Sequence, residues 1–180
     1  MKSLTQFILV TILLAFSVSS SMAQDKEEPI PEAGKINTTY DSAKNETTVG
    51  FQRLLITTSP SEQLFLSVDG TYASRTPKNH PQDIIFIISA LSPKGYRYPD
   101  IMALTIVTDG KQLPQVLMLN LDKRMAGSDY LETIGTRMKY DIFIKVAQAK
   151  KVEMKLSETS FKLDEQQLQK LRELADLLHL

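Results

Sequence analysis

His80 and His179 are the only imidazoles in the chain, and cysteine is absent from all 180 residues. Together these facts remove much of the chemistry open to a small protein. Without a thiolate there is no cysteine nucleophile, no disulfide and no thiolate metal centre. A zinc site needs three or four nitrogen, sulfur or carboxylate ligands drawn to one point. His80 lies in the proline-flanked loop Thr76-Pro77-Lys78-Asn79-His80-Pro81, and His179 is the penultimate residue, expected to fray into solvent. Neither a metal site nor a cofactor is expected. The chain holds no Gly-x-Ser-x-Gly elbow and no phosphate-binding glycine loop. Asp109-Gly110 suggests calcium, but no ladder of oxygen ligands surrounds it, and a hairpin turn explains it better.

Two kinds of chemistry stay open. A pair of carboxylates can cleave a glycosidic bond without any local motif. Asp69, Asp83, Asp100 and Asp109 are candidates that a sequence cannot match into a pair. The best binding candidate is Tyr96-Arg97-Tyr98, where two aromatic rings flank a guanidinium and could stack on a sugar, a peptide or another side chain. The same three residues also have a structural reading, in which one tyrosine plugs the end of the core and the other is exposed. With 0 Trp, a dedicated carbohydrate platform is disfavoured. Met102, Met118, Met138 and Met154 sit in apolar, strand-like surroundings and read as core filler. Asn37-Thr38-Thr39 and Asn45-Glu46-Thr47 match the glycosylation acceptor pattern, which has meaning only in a eukaryotic secretory pathway.

These residues must be positioned by a fold, and the chain reads as mainly β. Residues 1–23 look like a signal peptide. Met1-Lys2 gives a positive start, Phe7 to Val18 is apolar apart from Thr11 and Ser17, and Ser21-Met22-Ala23 offers small residues for cleavage after Ala23. An uncleaved anchor is the competing reading, but the apolar run is shorter than the ~20 residues that span a bilayer. Removing this segment takes away Lys2 alone, so a balance of 21 basic and 21 acidic residues becomes −1. A near-neutral chain without charge blocks points away from nucleic acid and anionic membranes. Residues 24–35 read as a flexible leader, because Ile30 is the only large apolar residue there.

Residues 36–180 read as one domain. Ile36 to Tyr40 and Thr47 to Ile56 form a first hairpin, followed by a loop over 57–61. Leu64 to Asp69 alternates, with Gly70 marking a bulge. Ile84 to Ile88 is apolar on both faces and is expected to be a central, doubly covered strand. Ile101 to Thr108 and Val116 to Leu121 flank Asp109-Gly110, and Pro114 suggests a sheet edge. Asp122 to Ser128 reads as a polar connection and Tyr130 to Ile134 as a further strand. Tyr140 to Ala149 fits both periods. The run of Ala147, Gln148, Ala149 and Lys150 favours a short helix. Val152 to Leu156 alternates strictly, Ser157 to Ser160 turns the chain, and Phe161-Lys162-Leu163 resumes. Asp164 and Gln167 form a capping box, with Leu163 and Leu168 at staple positions. Leu168, Leu171, Ala175 and Leu178 then mark one stripe of a C-terminal amphipathic helix, with Leu174 beside it. About eight strands with turn signals predict an antiparallel β-sandwich or a partly open barrel, with a short helix and the C-terminal helix covering an edge or the end of the core.

Ala147 to Glu153, Phe161-Lys162-Leu163 and Gln167 to Ala175 resemble the ending of a group of small, uncharacterised exported bacterial proteins. Tyr40 to Val49 and Val107 to Lys111 are similar to their earlier hairpins. The resemblance implies a bacterial β-sandwich and carries no activity. The expected function is therefore an exported, periplasmic or extracellular non-enzymatic module, binding a protein or glycan or supporting an envelope assembly, with no stable membrane insertion after cleavage. The alternative is a small secreted carboxylate-dependent hydrolase acting on glycans. A deep pocket lined by two close carboxylates would favour the second, and a flat surface with an apolar patch the first.

Overall fold

Period-two alternation runs through nearly every strand and decides which side of the sheet is wet. The computed structural model describes residues 32–179. The expected signal peptide, its expected cleavage point and residues 24–31 of the expected leader lie outside the described residues. The elements are β1 (Ile36–Asp41), β2 (Glu46–Ser59), β3 (Glu62–Tyr72), β4 (Asp83–Ser92), β5 (Ile101–Thr108), β6 (Lys111–Gln112), β7 (Val116–Ala126), β8 (Asp129–Lys139), α1 (Tyr140–Ala147), β9 (Val152–Leu156), β10 (Thr159–Lys162) and α2 (Glu165–Leu178). The strands form a single antiparallel sheet in the order β1-β2-β3-β4-β8-β7-β5-β9-β10, with β6 on β5. The sheet curls into a half-barrel. Of the two arrangements expected, this is the partly open barrel and not a pair of packed sheets.

Leu64, Leu66, Val68, Ile84, Phe86, Ile88, Leu104, Ile106 and Ile134 point to the concave side and are fully or almost fully buried. The C-terminal helix α2 fills that side with Leu168, Leu171, Leu174, Ala175 and Leu178. Its N-terminus is the expected capping box. Asp164 Oδ1 accepts from Gln167 N at 2.8 Å and Gln167 Oε1 accepts from Asp164 N at 2.8 Å. The Gln167 amide also donates to Leu55 O at 2.9 Å, so the cap ties the helix to β2 beyond the end of β1. This satisfies a backbone group that would otherwise be left on an open edge.

Several sequence expectations are corrected. Gly70 is not a bulge, since its register with Val49 and Ile84 is regular. A Cβ there would lie 2.6 Å from Leu178 Cδ2, so the missing side chain makes room for the helix end. Leu178 is accordingly buried and does not fray. The bulges lie in β2 instead, between Phe51 and Leu54 and between Leu55 and Thr57. The first contains Arg53 at φ 59° and switches the strand's parity, so that Val49, Phe51 and Ile56 all face the core.

The β4 strand is central but covered on one face only. Ile84, Phe86 and Ile88 are buried, while Ile85 and Ile87 are half-buried on the outside. The strand β7 runs on to Ala126, and the connection shrinks to a turn at Gly127-Ser128. Pro114 marks no sheet edge. It interrupts the strand between β6 and β7, where Leu113 N still donates to Ile106 O at 2.9 Å. The 57–61 loop and the 157–160 turn are each shorter than expected, because β2 reaches Ser59 and β10 begins at Thr159. The ambiguous stretch is helix α1, over Tyr140–Ala147. At the leader's end, Gly34 N donates to Gln52 O at 2.8 Å, so that residue is ordered against β2.

Candidate functional site

At one end of the half-barrel, the loop after β4 folds back over two buried carboxylates. The β4–β8 register pairs Ala90 with Glu132 and so aims Glu132 into the core. Its side chain is 0% exposed. Glu132 Oε2 accepts from Arg97 N at 2.7 Å, and Oε1 accepts from Tyr98 N at 3.1 Å and from Asn120 Nδ2 at 3.0 Å. Glu62, also buried, accepts from the Tyr98 hydroxyl at 2.7 Å and from the Thr159 hydroxyl at 3.1 Å. The Arg97 guanidinium stands 3.5 Å from Glu62 Oε1 and donates to Ser61 O. Burial pushes the Tyr98 phenol well above its ordinary range.

This geometry separates the three residues of the loop. Tyr98 fills the end of the core, with its hydroxyl committed to Glu62. Tyr96 is exposed and sets its ring edge-on to Tyr130, with centroids 5.1 Å apart. Arg97 is half-exposed and spans between them. The two loop tyrosines therefore do not share one stacking surface. Glu62 and Glu132 are the residues that sequence reading missed. Each is a charged residue at a buried strand position, and its burial depends on a loop that arrives from elsewhere in the chain.

At the opposite end, a cleft of about 1040 Å³ opens between α1, α2 and the loop before β4. Both histidines line it, with Tyr140, Ile144, Arg172 and Asp176. The His80 ring lies flat on Tyr140, with centroids 4.3 Å apart and planes 5° from parallel. His179 does not fray as expected, because its N–H donates to Ala175 O at 2.9 Å. The cleft's charges are mostly spoken for, with Lys139 on Asp83 at 2.7 Å and Arg172 on Glu165 at 2.6 Å. Among the described residues no group of three His, Asp or Glu side chains is placed to hold a metal ion. The Tyr140 hydroxyl is buried without a partner among the described residues, and burial raises its pKa.

The four candidate aspartates are dispersed. Asp83 pairs with Lys139, Asp100 pairs with Lys123 at 2.7 Å, and Asp109 accepts from Lys150 N and Lys151 N in the turn. Asp69 is half-buried on the outer face of β3, beside Gly50, and burial raises its pKa from 3.8 to about 6. A carboxyl with a raised folded-state pKa favours folding in its protonated form. Its penalty is therefore full above pH 6 and fades as pH falls toward 4. The expected result is a urea midpoint that rises between pH 7 and pH 5 by the equivalent of about 1 kcal/mol, after allowance for partial solvent screening. Asp69→Asn should remove that slope and be the more stable protein at pH 7. Parallel pH profiles for the two proteins would show that Asp69 is well solvated.

The third feature is the convex outer face. The registers set Ile101, Leu119, Gly135, Ile87 and Ser67 side by side in one row across β5, β7, β8, β4 and β3. Ile101, Leu117, Leu119 and Leu121 are exposed by 62%, 61%, 45% and 59%. Leu121 leans over Gly135, where a Cβ would meet its Cδ1 at 2.7 Å. The signal for this patch was present in Val116-Leu117-Met118-Leu119, which is apolar at every position. Val116 and Met118 go inward, and Leu117 and Leu119 alternate with them on the outside, exposed among the described residues.

No family model, curated protein or solved structure matches this chain. Its class rests on its own architecture, an antiparallel half-barrel filled by a C-terminal helix.

Proposed function

We propose that the protein is an exported, non-enzymatic module that joins a larger envelope assembly through the outer face of its sheet. The observation that carries this reading is the row of exposed aliphatic side chains on β5 and β7. A surface that exposes contiguous large aliphatics is costly to leave in water and typically marks a contact site. The buried carboxylates support the same reading. Glu62 and Glu132 spend their oxygens on the protein's own donors, and the four aspartates stand apart. Export is supported by the charged start, apolar run and small residues of the first 23 positions.

A photo-crosslinking residue placed at Leu117 should give a discrete macromolecular adduct in cells of the native host. The same probe at Lys111, on the exposed β6 hairpin, should not. Leu119→Asp should abolish the adduct without lowering thermal stability. Absence of any adduct at Leu117, or hydrolysis of a polysaccharide by the purified protein, would overturn the proposal.

A further inference from the structure

We draw no further inference here: the strongest candidate, the exposed aliphatic row on the outer face of β5 and β7, belongs to the surface already described, and nothing in the structure shows what covers it.

Discussion

Leu171→Ala or Leu174→Ala should destabilise the protein by about 3–4 kcal/mol, read as a clear fall in the urea midpoint with an unchanged slope. Both side chains are fully buried on the concave side of the sheet. Truncating a buried leucine removes its transfer free energy and leaves a cavity, typically ~2–5 kcal/mol together. The upper part of that range applies because α2 lies between two rigid bodies, the sheet and α1, and neither is free to collapse into the gap. Against a total stability of ~5–15 kcal/mol, one such change takes a large share. A helix of 14 residues is marginal alone in water, so its order derives from this packing. Leu177, on the same helix but 55% exposed, is the control, and Leu177→Ala should stay within ~0.5 kcal/mol. If Leu171→Ala and Leu174→Ala also fall within that lower range, the helix is not core, and its leucines must be read as a ligand for another protein's groove.

What was legible in the sequence is what local physics decides. The Asp164 and Gln167 cap, the Asp109-Gly110 turn and the limits of β5 depend on neighbours a few residues away, and each stands where its pattern placed it. The misreadings share a different cause. The parity switch at Arg53 is visible only once Ser67 Oγ, on the neighbouring strand, is seen to accept from its N–H at 3.0 Å. Gly70 reads as a bulge until Leu178 arrives from 108 positions later to occupy the space above it. Asp122 to Ala126 is polar enough to pass for a loop, because that part of β7 projects past β5 and is half of an exposed hairpin with β8. The candidate site follows the same division. Tyr96, Arg97 and Tyr98 are conspicuous by composition. The carboxylates that hold them, Glu62 and Glu132, are ordinary glutamates until the chain closes over them. The outer face was hidden for another reason. An all-apolar run is the signature of a strand covered on both sides, and only the tertiary structure shows that among the described residues one side of this strand is exposed.

The anchor of the aromatic loop leads to the second large effect. Glu132→Ala should cost about 3 kcal/mol and release the loop between β4 and β5. The carboxylate is fully buried and accepts three hydrogen bonds from within the protein, two of them from the peptide N–H groups of Arg97 and Tyr98. A buried donor that loses its partner bears its full desolvation penalty, ~1–3 kcal/mol for each group. Two effects oppose that total. Removing a buried charge relieves its own desolvation, and water admitted to the new space satisfies some donors. The net is therefore smaller than three lost bonds would suggest, but still among the larger single-residue costs. Locally, amide exchange at Arg97 and Tyr98 should accelerate far more than exchange in β4. The Tyr98–Glu62 bond should weaken with it, because the same loop carries both contacts. Tyr98→Phe combined with Glu132→Ala should consequently cost less than the two changes added separately. Glu132→Gln distinguishes the charge from the shape. It keeps the volume but turns an NH2 toward one of the two peptide N–H groups, since both carboxylate oxygens are occupied by donors. It should cost about 2 kcal/mol and protect one loop amide while exposing the other. A Glu132→Gln variant as stable as the parent, with both amides still protected, would mean that the carboxylate does not fasten the loop. The Tyr98–Glu62 and Arg97–Glu62 contacts would then have to hold it alone.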